Sequence, residues 1–111
     1  MTDASARLRE RRADVGTRVD LLRAELDDVI ESASSTTGDD EHDPEGATVG
    51  FERAQAQAML DAALAQLEDI DAALVRLAAG TYGVCVVCGA PIGAERLDAR
   101  PFALRCIACA R

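Results

Sequence analysis

Hydrophobic residues recur along the first third of the chain with the spacing of a single helix face. Two seven-residue series, offset by four, run through residues 4–33: Leu8, Val15, Leu22 and Val29, and Val19, Leu26 and Ala33. Alternating steps of three and four residues are typical of a coiled-coil seam. The pattern predicts a long amphipathic helix over residues 4–33, in which Gly16 costs about 1 kcal/mol relative to alanine.

A second stretch of the chain, residues 47–79, repeats this pattern. Its two series are Leu60, Leu67 and Leu74, and Ala63, Ile70 and Leu77. We expect Phe51, Met59 and Leu64 to broaden the apolar stripe of a second long helix. Gly80 follows the last apolar position and is a favourable C-terminal stop.

Between the two periodic stretches, residues 34–46 are small, polar or acidic and predict a loop. Asp43 is suited to cap the next helix, and Pro44 to occupy its first position, where a backbone N–H is not needed. Two long seams joined by one loop fold most simply into an antiparallel hairpin. Residues 1–80 are therefore predicted to form a helical hairpin with an acidic tip.

The four cysteines of the chain form two Cys-x-x-Cys pairs separated by 17 residues: Cys85 and Cys88, then Cys106 and Cys109. Two such knuckles deliver four thiolates to one tetrahedral zinc ion, and a separation of about 15–20 residues is usual. Because four thiolates leave no open coordination position, the zinc is predicted to be structural. A redox pair or disulfides are the weaker alternatives, since no βαβ pattern or secretory signal is present.

Charge is unevenly distributed along the chain, and this distribution limits the classes of function that fit it. The net charge is −8, residues 33–46 hold five acids and no basic residue, and residues 81–111 carry +2. A broad nucleic-acid-binding face needs clustered cations, which this distribution does not supply. No apolar run approaches the roughly 20 residues of a membrane span. We expect a soluble, cytoplasmic protein that is not an enzyme and has no membrane partner.

The C-terminal motifs resemble those of the DksA/TraR zinc-finger family. They run Tyr82-Gly83-Val84-Cys85-x-x-Cys88-Gly89, then Ile92, then Arg96-Leu97-Asp98-Ala99-Arg100-Pro101, then Cys106-x-x-Cys109. The resemblance implies a mainly α fold, with a two-helix coiled-coil hairpin followed by a C4 zinc finger at residues 81–111. It also implies a bacterial transcription regulator that binds RNA polymerase through the secondary channel, often with the alarmone ppGpp, and that does not read DNA sequence.

In this family the hairpin tip lies near the catalytic centre of the polymerase and carries an Asp-x-x-Asp-x-Ala pattern. Counting back from the first cysteine without gaps places that pattern on His42, Glu45 and Ala47, and Asp43 adjoins the substituted first position. The resemblance thus implies Asp43, Glu45 and Ala47 as tip contacts.

The finger surface is expected to supply positive charge toward the outer rim of the polymerase. Two residues follow the last cysteine, so we expect rim contacts from Arg96, Arg100, Arg105 and Arg111 of the finger rather than from a further helix. An alternative for Arg96 and Arg100 is structural, because arginines stabilise a doubly negative zinc–tetrathiolate unit.

Two further functions compete with polymerase regulation. The altered tip favours a zinc-stapled coiled-coil adaptor, or a homo-oligomer, that has lost its action on the polymerase. The +2 charge of the last segment would suit a DNA-binding zinc ribbon, but the −10 of the remaining chain opposes it.

Overall fold

Two long helices and a small cysteine-bearing segment make up the protein. The computed structural model describes residues 2–35 and 44–110, with side chains described over 4–32 and 48–110. The helices are α1 (Thr2–Ser35), α2 (Pro44–Ala79) and α3 (Ala94–Ala99). Within the described ranges there is no strand, only an isolated antiparallel bridge between Val84 and Pro91. The mainly α fold class predicted from the sequence is confirmed.

The ends of α2 follow from local chemistry. The helix begins at Pro44, whose fixed φ suits a first helical position. It ends at Ala79, where Gly80 adopts a φ of 81°. The Gly80 N–H donates to the Leu77 carbonyl at 3.2 Å, and the Thr81 N–H donates to the Arg76 carbonyl at 2.9 Å. This pair of bonds satisfies the last carbonyls of the helix, as in a Schellman motif.

The chain forms two compact units. The hairpin unit, Gly16–Leu64, contains the later part of α1 and the earlier part of α2. In it, Asp28 and Ser32 line one depression with Val49, while Glu25 lines another with Met59. Later residues of α1 thus lie beside earlier residues of α2, so the two helices of this unit run antiparallel.

The finger unit, Met1–Val15 with Ala65–Arg111, combines the first turns of α1, the end of α2 and the cysteine-bearing segment. The Arg12 Nε donates to the Asp71 Oδ1 at 2.6 Å and joins the two long helices. The Arg7 Nη1 donates to the Asp98 Oδ1 at 2.7 Å and joins α1 to α3. Both ion pairs are exposed, so they orient elements more than they stabilise them.

Buried positions along both helices follow the predicted seams only in part. The buried side chains of α1 are Ala4, Leu8, Val15, Val19, Leu22 and Leu26, and those of α2 are Ala56, Leu60, Ala63, Ile70 and Ala73. Ala63 belonged to a predicted series, whereas Ala4, Ala56 and Ala73 did not. Small side chains at these positions let two helices approach closely. The expectation for Phe51 and Met59 is wrong: they are 74% and 40% exposed, and Leu64 is only half-buried.

No described helix contains an apolar stretch that would suffice to cross a bilayer.

Candidate metal centre

The first knuckle, residues 85–88, is held by a short backbone hairpin. The Ile92 N–H donates to the Gly83 carbonyl and the Cys85 N–H to the Ala90 carbonyl, both at 2.8 Å. The Gly89 N–H then closes the turn by donating to the Cys85 carbonyl at 3.0 Å. Gly89 has a φ of 77°, a conformation that glycine adopts without steric cost. A glycine directly after a Cys-x-x-Cys pair is therefore suited to close the turn of the knuckle.

The second knuckle, residues 106–109, is positioned against the first by one hydrogen bond between chain segments. The Val86 N–H donates to the Leu104 carbonyl at 2.9 Å. Within the knuckle, the N–H groups of Cys109 and Ala110 both donate to the Cys106 carbonyl, at 3.1 and 2.9 Å. The two knuckles therefore present their sulfurs to a common point.

A small apolar core supports the two knuckles. Cys85, Ile92 and Ala103 are buried together, and Leu97, Cys106 and Cys109 pack against them. A Cβ added to Gly83 would lie 3.5 Å from the Leu97 Cδ1, so α3 packs closely on the strand-like lead-in. With so little buried area, this segment needs a further source of stability, as small domains of its size generally do.

The four sulfurs converge, as the spacing predicts. The Sγ atoms of Cys85, Cys88, Cys106 and Cys109 all lie within 4.8 Å of one another. The Cys88 and Cys106 sulfurs are 3.7 Å apart. A tetrahedron with zinc–sulfur bonds of about 2.3 Å has edges of about 3.8 Å, so that pair already has the separation of two zinc ligands.

The protonation of the cluster is unequal and shows how it would hold a cation. The pKa of Cys85 is lowered to about 6, chiefly because the backbone N–H of Cys88 and then that of Cys106 donate to its sulfur. The pKa of Cys106 is also lowered, mainly by the backbone N–H of Cys109. The pKa of Cys109 is raised to about 12, because its thiol donates to the neighbouring sulfurs, Cys106 first.

The backbone donors favour the thiolate form of Cys85 and Cys106, while Cys109 keeps its proton. Four sulfurs this close cannot all ionise without a counter-charge. A divalent cation supplies that charge and deprotonates the coordinating thiols. The donor set, its spacing and the backbone N–H groups aimed at the sulfurs fit one structural zinc ion. The predicted cofactor is therefore confirmed, and its closed set of four ligands gives it a structural role.

Two finger arginines named from the sequence turn out to have partners within the protein. The Arg96 Nε donates to the Arg105 carbonyl at 2.8 Å, which ties α3 to the residue before the second knuckle. The Arg100 guanidinium lies 5.3 Å from the centre of the Phe102 ring. Together with Arg105 both line a cavity of about 290 Å³ that also includes Asp69.

Three further side chains support the finger; the sequence motif included Tyr82, whereas Phe102 and Arg76 were missed by sequence reasoning. Phe102 is only 5% exposed and is flanked by Arg100 and, at 5.9 Å from the ring centre, by Arg11 of α1. The Tyr82 hydroxyl donates to the Pro101 carbonyl at 2.8 Å. The Arg76 Nη2 donates to the carbonyls of Thr81 (2.9 Å) and Val84. The sequence does offer one signal for these aromatics: the chain has only three, and two of them, Tyr82 and Phe102, lie shortly before the two knuckles.

The predicted tip residues are only partly covered by the structure. Asp43 lies outside the described residues. Glu45 and Ala47 are in the first turn of α2, but their side chains are not among those described. Their proposed contacts therefore remain predictions.

Comparison with known proteins shows which family, structure and sequence this chain is similar to. A model of the prokaryotic dksA/traR C4-type zinc finger matches residues 80–111. The structure of transcription factor DksA2 from Pseudomonas aeruginosa is 30% identical, covers 98% of this chain and 78% of that chain, and superposes with a TM-score of 0.79. An uncharacterized protein of Aquifex aeolicus (strain VF5) is 45% identical over 47 residues, which is 42% of this chain. That match spans about a third of the relative, 32% of its length.

Two long helices followed by a four-cysteine finger define a class of zinc-stapled helical proteins. Within that class, the structural match to DksA2 extends along nearly the whole chain and therefore identifies the family. The chain belongs to the DksA/TraR family of C4-type zinc-finger proteins.

Proposed function

We propose that this protein is a transcription regulator that binds bacterial RNA polymerase through the secondary channel, with the acidic end of its hairpin near the active centre. The observation that carries the proposal is the extent of the structural match. Likeness to a transcription factor covers 98% of this chain, so it includes both long helices as well as the finger. A shared zinc finger alone would not support it, since similar fingers occur in many functions.

The charge distribution supports the same proposal. The described part of the hairpin unit, residues 16–35 and 44–64, contains eight carboxylates and three arginines, a net charge of −5. Such a surface is repelled by nucleic acid and suits a protein channel lined with cations. Sequence-specific DNA binding is accordingly not part of the proposal.

The proposed tip contacts are Asp43, Glu45 and Ala47. A carboxylate acts on a catalytic centre through its position, so the histidine at 42 in place of an acid changes what the tip presents. We infer that Glu45 is the principal acidic group, since it keeps its register relative to the first cysteine.

The nucleotide ppGpp is proposed to act where the finger unit meets the polymerase. The cavity lined by Arg96, Arg100 and Arg105 provides three guanidinium groups suited to phosphate oxygens. Asp69 lies in the same cavity and lowers its net positive charge. The protein is therefore expected to bind this nucleotide only when the polymerase contributes further cations.

The test is capture of RNA polymerase core enzyme by the zinc-loaded protein, with and without a competitor that occupies the secondary channel. We expect binding that the competitor displaces. Glu45→Ala should keep binding but lose its effect on transcription in vitro, whereas Glu68→Ala, an exposed carboxylate elsewhere on α2, should keep both. Absence of binding would contradict the proposal, and unchanged transcription with Glu45→Ala would contradict the tip assignment.

A zinc-stapled adaptor or homo-oligomer is the alternative function. Sedimentation of the free protein distinguishes this alternative from regulation of the polymerase. A stable dimer that does not bind polymerase would favour it over regulation.

A further inference from the structure

Two exposed apolar side chains, Phe51 and Met59, lie on α2 in the hairpin unit, beside a groove between the two helices. Phe51 and Met59 are separated by eight residues, so with Gln55 they form one row along the helix. Phe51 is 74% exposed and Met59 40% exposed. Of the other two aromatic residues, Phe102 is buried in the finger and Tyr82 is half-buried there, so Phe51 is the most exposed aromatic of the three.

The adjacent groove has an apolar floor and an acidic rim. It has a volume of about 340 Å³ and is lined by Val29, Ala56, Met59 and Gln55, with Glu25 and Glu52. In the part of the chain that the structure describes, neither carboxylate forms an ion pair. A groove of this kind accepts an aliphatic side chain that is flanked by lysine or arginine.

A second copy of this chain does not suit the groove. The hairpin unit has a net charge of −5 over its described residues, so pairing it with itself would bring carboxylates together. Like charges opposed across an interface disfavour association. Charge complementarity instead favours a partner with a basic rim.

We infer that the Phe51–Gln55–Met59 row and its groove form the docking surface for RNA polymerase, where a polymerase segment places an apolar side chain flanked by cations. The inference rests on the proposed function and adds to it the face of the hairpin that makes contact. Phe51 is the anchor, because aromatic side chains carry a large share of binding energy at interfaces.

The experiment measures the affinity of the N-terminally labelled, zinc-loaded full chain for polymerase core enzyme. Phe51→Ala and Met59→Glu are each expected to weaken binding about tenfold or more. The matched controls are Leu21→Ala and Val75→Glu, which alter side chains that are 67% and 68% exposed outside the row. Both controls should bind within about twofold of the wild type. Circular dichroism of each variant confirms that its helices are intact.

A second measurement tests the acidic rim. The double variant Glu25→Gln with Glu52→Gln should bind more weakly at low salt and show a shallower dependence of affinity on salt concentration. An unchanged salt dependence would overturn the assignment of these carboxylates.

The outcomes separate this inference from the function on which it rests. If the wild type binds and the row variants bind equally well, the docking surface is wrong while the proposed function stands. If the wild type does not bind, the docking surface and the proposed function are both contradicted. If the free chain sediments as a dimer that Met59→Glu dissociates, the groove is instead a self-association surface, which also overturns the inference.

Discussion

The Tyr82 hydroxyl donates a hydrogen bond of 2.8 Å to the Pro101 carbonyl. Tyr82 lies just before the first knuckle and Pro101 just before the segment that leads to the second. The bond therefore joins the two lead-ins across 19 residues of sequence. It shows how a finger with little apolar core holds its two halves in register.

Removing this hydroxyl tests its contribution. Tyr82→Phe keeps the ring but leaves the Pro101 carbonyl without this donor, and we expect a loss of about 1 kcal/mol in the free energy of unfolding. Chemical denaturation of the zinc-loaded protein measures it. Equal stability of the two proteins would show that water replaces the hydroxyl at no cost.

The titration of Tyr82 is a second prediction. The pKa of Tyr82 is raised above its usual value of 10.0, first by burial, with opposing effects from Arg7 and Asp98. Because the folded pKa is higher than the unfolded one, its contribution is complete below about pH 10 and is lost as the pH rises through the folded pKa. The chain has one tyrosine and no tryptophan, so the ultraviolet absorbance of tyrosinate reports this group alone. A midpoint at or below 10.0 would contradict the assigned environment.

The two phenylalanines provide a matched pair of substitutions. Phe102→Ala removes a ring that is 5% exposed, between two guanidinium groups, and should cost about 3–5 kcal/mol of stability. Phe51→Ala removes a ring that is 74% exposed and should change stability by less than about 0.5 kcal/mol. Thermal unfolding of both variants compares them directly. Similar losses would mean that Phe51 is packed.

Glycine substitutions should have opposite effects at two positions. Gly16 lies inside α1 with nothing within 4 Å of an added Cβ, so Gly16→Ala should stabilise the protein by about 1 kcal/mol. Gly89 has a φ of 77°, so Gly89→Ala should destabilise the finger by about 1 kcal/mol or more. Unfolding and zinc affinity measured on each variant test the difference. Stabilisation by Gly89→Ala would contradict the left-handed turn.

Removal of the metal should unfold the finger. The four sulfurs are placed to hold one zinc ion, and binding of a structural zinc contributes on the order of 10 kcal/mol or more to folding. A chelator should abolish the near-ultraviolet circular dichroism of Tyr82, and added zinc should restore it. Metal analysis should give one zinc per chain, falling sharply in Cys85→Ser. Retention of the Tyr82 signal without zinc would contradict the stabilising role.

The sequence by itself determined the features that depend on local spacing. The step of three and four residues predicted helices, because side-chain periodicity along a helix is set by its geometry. The end of α2 at Gly80 followed from backbone chemistry. The convergence of Cys85, Cys88, Cys106 and Cys109 followed from the narrow coordination preferences of zinc.

Only the tertiary structure decided which surfaces are buried and which side chains meet. Phe51 fits a helical apolar stripe by spacing yet lies outside it, whereas Ala56 and Ala73 are buried. Burial depends on how closely two helices approach, which is a property of the pair rather than of either sequence. The placement of Phe102 between Arg11 and Arg100 likewise joins residues that are distant along the chain. No spacing rule predicts such a contact, because it arises only when α1 and the finger fold together.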